Sequence, residues 1–348
     1  MSDIEIRRAT DSDVEAIRDL FVDSYGIHYR YREFYDDYWL KKAIFSDNYL
    51  VLVATRDDRI LGSASITFDV GDYTDLQGEF GRLVVHPDAR RQRIGSQLMQ
   101  ARLEFARKRL HFGFIHGRTA HPIAQQIAER HGFKPIGFLP QKSLFRARES
   151  IVVMGQLFGT ARELRRNHPQ IIPEVFPLAA KALGNNALPN DVAVIEDAIS
   201  YPMDHHYQIA ELSETGIPYL LRIERGRLKR RQVFGNMMLS YGYFALQAKE
   251  AQYLVASEDD TIVGAVGYVF DQVGKTIQII EIIDVDNAVA GFLLRELDRR
   301  AREELDVAYA EVTVSAYWPR VQRTLDLLGF SPVAYCPSAV FRGTERLD

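Results

Sequence analysis

The sequence predicts a mixed α/β architecture used twice, and three observations carry that prediction. Extended, β-branched stretches alternate with amphipathic helical ones through the first half in the order β-α-β-β-β-α-β-α-β-β. A hairpin-like segment returns 202 positions later: Leu52-Val53-Ala54, Asp57-Asp58, Ile60, Gly62 and Phe68-Asp69 recur as Leu254-Val255-Ala256, Asp259-Asp260, Ile262, Gly264 and Phe270-Asp271. Near the end of each half, Gln125, Gly132-Phe133, Pro135, Ile136, Phe138 and Pro140 return 197 positions on as Gln322, Gly329-Phe330, Pro332, Val333, Tyr335 and Pro337. The first of these pairs alone holds nine identities in fixed order, so the chain reads as two copies of one plan.

Taken in order, Ile4 to Arg8 reads as a short strand. Thr10 with Asp13 three residues on is a capping-box variant, and Val14, Ile17, Leu20 and Phe21 give the following helix an apolar stripe. Tyr49 to Thr55 and Ile60 to Phe68, rich in β-branched and aromatic residues, flank Asp57-Asp58 as a hairpin. Phe80 to Val85 is a third extended run, stopped by His86-Pro87-Asp88, and a helix with Ile94, Leu98, Ala101 and Phe105 on its apolar face starts near Ile94. Phe112 to Thr119 reads as a strand, Pro122 to Arg130 as a helix, and Phe133 to Leu139 with Ser150 to Leu157 as two closing strands.

Residues 159–200 carry Pro169, Pro173, Pro177 and Pro189, with helix-like pieces at Thr160 to Arg166 and Glu174 to Leu183. Ile171, Ile172, Val175, Phe176 and Leu178 need a surface to cover, so this is a packed connector rather than a flexible linker. The expected domains are 1–158, the connector 159–200, and 201–348. The strand at Ser150 to Leu157 maps to about position 347, so the second copy is expected to lack its last strand or to continue in a longer polypeptide.

With 47% hydrophobic and 26% charged residues, the chain can bury sizeable cores, which excludes disorder, collagen-like repeats and disulfide scaffolds. Cys336 is the lone cysteine, and at repeat position Leu139 it reads as a packing residue. Met1-Ser2-Asp3-Ile4-Glu5 has no basic-then-apolar leader, and no apolar run approaches the roughly 18 residues of a membrane span. A cytoplasmic location without membrane contact is the expectation. A net charge of −4 argues against a protein that coats nucleic acid.

Chemistry concentrates in Glu79 to Ser96, where a strand runs into the loop His86-Pro87-Asp88-Ala89-Arg90-Arg91-Gln92-Arg93 and then a helix start at Ile94-Gly95-Ser96. Such a turn offers free backbone N–H groups and the positive end of a helix dipole beside three arginines, a setting suited to a pyrophosphate. The alternative is an ordinary strand-to-helix turn with solvated arginines.

In its element order, in this loop, and in the Gln125 to Phe133 junction ending in Gly-Phe, the first half resembles the GCN5-related N-acetyltransferase (GNAT) superfamily. The resemblance implies two GNAT-like acyl-CoA acyltransferase folds in tandem, the second degenerate. It implies that Leu83, Val84 and Val85 face the pantetheine amides of an acyl-CoA donor, and that Arg90, Arg91, Gln92, Arg93, Ile94, Gly95 and Ser96 wrap its pyrophosphate, with Gln125 in the same cofactor-binding set. Arg93 stands where the family's loop has its first glycine, a position of strain for a side chain if φ is positive. The family's general base, a glutamate on the preceding strand, corresponds to Glu79; its tyrosine acid would fall at Ala128, leaving His121 or His131 as proton donors, with packing the other role for His131. The implied reaction is direct attack of an amine, on a small molecule or a peptide, on the thioester.

In the second half the equivalent loop reads Asp284-Val285-Asp286-Asn287-Ala288-Val289-Ala290-Gly291, acidic and without arginine, so no cofactor site is expected there. The basic stretch Arg222 to Arg231 is either a solvated helix face or a docking patch for an acyl carrier protein or a phosphate-bearing substrate. The aromatic cluster Tyr25, Tyr29, Tyr31, Phe34, Tyr35, Tyr38 and Trp39 is either core or the wall of an acceptor pocket. Neither the histidines at 111, 116, 121 and 131 nor Asp204-His205-His206 completes a metal ligand set. Transfer from a carrier-protein thioester and a non-catalytic binding module are the alternatives to an acyl-CoA enzyme.

Overall fold

The computed structural model describes residues 3–27, 29, 31–68, 75–212 and 251–348, together with the backbone of 230–233. The chain forms two compact units, one of Met1–Arg166, Leu178–Asn190 and Val333–Asp348, the other of Asn167–Pro177 and Asp191–Pro332.

The first unit contains β1 (Glu5–Arg8), α1 (Val14–Tyr25), α2 (Asp37–Phe45), β2 (Tyr49–Arg56), β3 (Arg59–Thr67), β4 (Gln77–Val85), α3 (Ile94–Ala106), β5 (Phe112–Arg118), α4 (Pro122–Arg130), β6 (Lys134–Leu144) and β7 (Arg148–Leu157). They build a seven-stranded sheet in the order β1-β2-β3-β4-β5-β7-β6. Every pairing is antiparallel except β4 with β5. The sheet buries both faces. Ile66, Phe80, Ile115 and Phe133 pack with Leu98 and Leu103 of α3 and Ala128 of α4. On the opposite face, Val51, Val53 and Val84 meet Ile17 and Phe21 of α1, Leu40 of α2, and Phe34.

Local chemistry sets the boundaries. The Thr10–Asp13 capping box forms, closing a short 3-10 turn ahead of α1. Asp57 and Asp58 take φ of 50° and 62°, the left-handed pair that a two-residue hairpin turn requires. Gly132, at φ 101°, ends α4 in a conformation that side chains resist, and Phe133 N–H then reaches back to the Ala128 carbonyl. The aromatic stretch, for which the sequence pattern predicts no regular element, holds α2, capped by Asp36 accepting from Tyr38 and Trp39 N–H. Thr160 to Arg166, expected as helical, instead forms turns: Leu164 N–H bonds the Thr160 carbonyl, and Arg165 is then drawn into a bridge with Arg346.

The second unit has β8 (Gln170–Ile171) paired with β9 (Ala193–Val194), while α5 (Phe176–Asn185) begins in this unit and continues in the first. Its main sheet uses β10 (Gln208–Glu211), β11 (Arg230–Val233), β12 (Gln252–Glu258), β13 (Thr261–Asp271), β14 (Thr276–Asp284) and β15 (Tyr309–Val312), with helices α6 (Asn287–Glu303) and α7 (Pro319–Leu327). The strand order is β10-β12-β13-β14-β11, and β15 also pairs with β14. The repeat extends to register. Leu52↔Ala64, Ala54↔Gly62 and Thr55↔Ile60, with a shift after Ala54, become Leu254↔Val266, Ala256↔Gly264 and Ser257↔Ile262, with a shift after Ala256.

Residues Val333–Asp348 complete the first unit. Phe138 N–H bonds the Val333 carbonyl and Tyr335 N–H the Ile136 carbonyl, and β16 (Val340–Arg342) pairs with β17 (Glu345–Leu347). Gly137 permits that approach, since a Cβ there would lie 2.4 Å from the Ala334 Cβ. No helix among the described residues is long and apolar enough to cross a membrane.

Candidate active site

The site grows from one irregularity in β4. Ser63 pairs with Val84 and Ser65 with Gly81, so two β4 residues, Arg82 and Leu83, stand opposite Ala64. This is a bulge, with Arg82 at φ 53°. Beneath it, on the α3 face, the fully buried Arg102 donates from Nη1 to the Ser65 and Gly81 carbonyls at 3.1 and 3.2 Å. Burial pushes that guanidinium down to about 9. The consequence lies on the other edge of β4. Its parallel ladder with β5 holds only Gln77↔Phe112, Gly78↔Gly113 and Glu79↔Phe114, and beyond Glu79 the two strands part. Among the described residues no strand pairs with the β5-side edge of Arg82 to Val85, which leaves main-chain groups open to an amide-bearing ligand.

At the point of parting, Glu79 and Arg82 lie on the same face of the sheet. Glu79 Oε2 accepts from Arg82 Nη1 at 2.8 Å, and Oε1 lies 3.3 Å from His116 Nδ1. Burial by itself would raise the Glu79 carboxyl, but Arg82 and His116 outweigh it and hold it well below the usual carboxylate range. Arg82 in turn lies 4.2 Å over the Tyr31 ring. Tyr31 belongs to a continuous ring cluster: Tyr29 lies 5.5 Å from Tyr31 and 4.8 Å from Tyr25, and Phe34 lies 5.1 Å from Trp39. Phe34 is buried core whereas Tyr38 is exposed, so the cluster is core on one side and borders the Glu79 group through Tyr31 on the other. Two residues beyond His116, Arg118 pairs with Glu149 at 2.6 Å and stacks 3.8 Å over Phe145.

The end of β4 leads into the basic loop. Arg90, Arg91, Gln92 and Arg93 are all exposed. Arg91 and Arg93 sit at φ 65° and 63°, so Arg93 occupies the left-handed conformation in which a side chain at that position is strained. Arg93 is the N-cap of α3: Ser96 and Gln97 N–H close on its carbonyl, while Ile94 and Gly95 N–H have no intrahelical acceptor. Gln92 Oε1 accepts from Arg56, and Ser96 Oγ lies 2.8 Å from His131 Nε2, joining α3 to α4. Val84 is buried against α1, whereas Leu83 and Val85 lean toward the α3 side.

The other sequence candidates are placed as follows. Gln125 Nε2 donates to the Arg118 carbonyl at 2.7 Å, and its Cγ would lie 2.8 Å from a Cβ at Gly117. His121 is the exposed N-cap residue of α4, with no hydrogen bond to its side chain among the described residues. Ala128 is fully buried in the core. The basic stretch Arg222 to Arg231 falls outside the described residues, apart from the backbone of its last two, which lie in β11. Sequence reasoning missed Arg82 and His116 as partners of Glu79. The signal for His116 was its parity with Phe114, and that signal needs the β4–β5 register to be read.

The second unit has the same strand arrangement with other contents. Thr276 to Ile279 pair with Tyr309 to Val312 in parallel, which puts Gln278 at the place of Glu79. The next part of that β14 edge is covered, because Glu281 to Asp284 pair with β11.

An acetyltransferase (GNAT) family model matches residues 14–133. Among solved structures, the chain is similar to a GNAT-family acetyltransferase from Streptococcus pneumoniae, at 22% identity and TM-score 0.39 over 45% of this chain and 100% of that one. It is similar to ribosomal-protein-alanine N-acetyltransferase from Brucella melitensis, at 23% identity and TM-score 0.40 over 44% and 99% of the two chains. It is also similar to PaiA N-acetyltransferase from Thermoplasma acidophilum in complex with coenzyme A, at 18% identity and TM-score 0.36 over 45% and 100%. No curated protein matches the sequence. Residues 14–133 of this chain are an acetyltransferase (GNAT) family domain.

Proposed function

We propose that the first unit takes an acyl group from acyl-CoA and delivers it to an amine by direct attack on the thioester carbonyl. The observation that carries this reading is the parting of β4 from β5 at Glu79, with an open β4 edge that leads into a loop of three exposed arginines and the start of α3. An extended arm with amide groups fits the edge at Leu83 to Val85, and a pyrophosphate fits Arg90, Arg91, Gln92, Arg93 and the N–H groups of Ile94 and Gly95. Ser96 would contribute through its backbone, since its hydroxyl is held by His131. The acceptor enters from the α1–α2 face, where Tyr31, Arg82 and Arg118 border the Glu79–His116 pair, and proton removal is assigned to that pair.

In this reading the second unit is a copy of the fold without a donor site. Gln278 supplies no carboxylate, the Asp284–Gly291 loop has no arginine, and β11 takes the edge that the arm would need.

Calorimetry with acetyl-CoA tests both parts. One equivalent bound per chain is expected, with affinity that weakens as salt rises and falls further in Arg90→Glu/Arg91→Glu. No binding, together with no thioester turnover over a panel of amines, would sink the reading; two equivalents would overturn the assignment of the second unit.

A further inference from the structure

Resting on that reading, we infer that His116 takes the proton from the attacking amine and that Glu79 is a positioning residue acting through it. Both Glu79 oxygens are engaged, Oε2 by Arg82 at 2.8 Å and Oε1 by His116 Nδ1 at 3.3 Å. The Glu79 side chain is 12% exposed and that of Arg82 9%, so neither is freely rehydrated. A carboxylate locked in a short ion pair is a weak proton acceptor, and efficient general bases titrate near the working pH. Imidazole is the side-chain class whose ordinary titration range brackets neutrality.

The geometry gives His116 the right atom. Its Nδ1 faces the Glu79 carboxylate, which favours the tautomer with the proton on Nδ1 and leaves the Nε2 lone pair for a substrate. No other hydrogen bond holds the ring among the described residues, and its side chain is 32% exposed where β4 and β5 part. The Phe114 ring, 5.4 Å away and edge-on, fixes its plane from the same face of β5. The charged and titratable groups around it are Glu79 and Arg82 of β4, Arg118 on its own strand with Glu149 of β7, Tyr31 beneath Arg82, Tyr29, which interacts with Glu79 and Arg82, and Tyr25, which interacts with Arg118.

The step balances as follows. The acceptor ammonium gives one proton to His116 Nε2. The freed nitrogen lone pair forms the C–N bond to the thioester carbonyl carbon, and the C=O π pair moves onto oxygen. When that pair returns, the C–S bond breaks and its electrons leave on sulfur, which takes the second proton from nitrogen. The products are the N-acyl amine and the free thiol, and His116 returns its proton to water. Glu79 stays ionised throughout and stabilises the imidazolium, as the third member of a nucleophile–base–orienting chain does.

Two measurements test this. Nitrogen-15 shifts of the His116 ring in the whole protein should report the Nδ1–H tautomer at neutral pH; the Nε2–H tautomer would overturn the proposal, whatever the outcome with acetyl-CoA. The pH profile of kcat/KM, with acetyl-CoA and a panel of primary amines, should lose its base limb in His116→Gln with a fall of about 10²- to 10⁴-fold. In Glu79→Gln the limb should persist with a smaller fall in kcat/KM, because the ring keeps its Nε2 and loses only the group that orients it. The reverse pattern, with the limb abolished by Glu79→Gln and kept by His116→Gln, would return the proton to the carboxylate. Acetyl-CoA binding measured on the same variants separates failure of this step from failure of the donor assignment.

Discussion

Glu79 and Arg82 form a 2.8 Å ion pair although they lie three residues apart on one strand. Strand alternation sends positions an odd number apart to opposite faces. The bulge supplies the missing half-period, since Arg82 at φ 53° adds the residue that brings its side chain back to the Glu79 face. The feature that parts β4 from β5 therefore also assembles the polar group at the parting.

Breaking that pair from the cationic side should be severe. Arg82→Met leaves a carboxylate with little water and an exposed Tyr31 face, and the loss should be about 3 kcal/mol, as for other buried pairs. The sign with pH follows from the depressed Glu79 carboxyl. The pair stabilises fully above the unfolded value near about 4 and is lost as pH falls through the lower folded value. Urea unfolding of wild type and Arg82→Met should accordingly diverge most near neutrality and converge in acid. A constant gap down to the acid limb would show that Glu79 is not held as described.

Arg93 offers a separation of strain from charge. In the left-handed region a side chain costs about 1 kcal/mol relative to glycine. Arg93→Gly should thus be more stable than Arg93→Ala by about that amount, while both lose the same charge and the same salt-dependent share of acetyl-CoA affinity. Equal stability of the two variants, read from thermal unfolding, would mean that the loop relaxes out of that conformation.

The hairpin was legible in the sequence to the level of individual pairs, because Asp57-Asp58 and Asp259-Asp260 fix the turn and the turn fixes the register. The loop and its strained arginine were legible because strand, loop and helix start are contiguous. His116 was not. Its meeting with Glu79 depends on a parallel register between strands 37 residues apart and on which face a bulge turns outward, neither of which leaves a local pattern. For the same reason the pairing of β11 with β14 could not be read from Arg230 to Val233, whose arginines point to charge rather than to a strand position.

The segment Val333–Asp348 is fastened to the first unit by a buried pair. Arg165 Nη2 lies 2.7 Å from Asp348 Oδ2, with side-chain exposures of 2% and 0%, and Tyr335 Oη and Ser338 N–H donate to the same carboxylate. Asp348→Ala removes the buried carboxylate that Arg165, Tyr335 and the Ser338 N–H share, and should destabilise the unit by about 3 kcal/mol. The neighbouring Arg166–Glu345 pair, at 3.9 Å and exposed, is the internal comparison; Glu345→Ala should change stability by less than about 0.5 kcal/mol. Similar losses in the two variants by urea denaturation would contradict the assignment of the anchor to Asp348.

Gln125, which the family resemblance puts in the donor-binding set, uses its carboxamide to tether α4 to β5 through the Arg118 carbonyl. The same tether recurs 197 positions on, where Gln322 Nε2 donates to the Ser315 carbonyl at 3.1 Å in a unit whose equivalent loop has no arginine. A contact kept where the basic loop is missing is explained by the helix–strand junction rather than by a ligand. Gln125→Ala should lower the stability of the first unit by about 1 kcal/mol, the value of a typical hydrogen bond, and Gln322→Ala should cost the second unit more, because Gln322 also donates to the Gln170 carbonyl and accepts from the buried Ile172 N–H. Acetyl-CoA affinity should be unchanged in Gln125→Ala when measured well below the unfolding temperature. A tenfold loss of affinity with unaltered stability would restore the residue to the donor site.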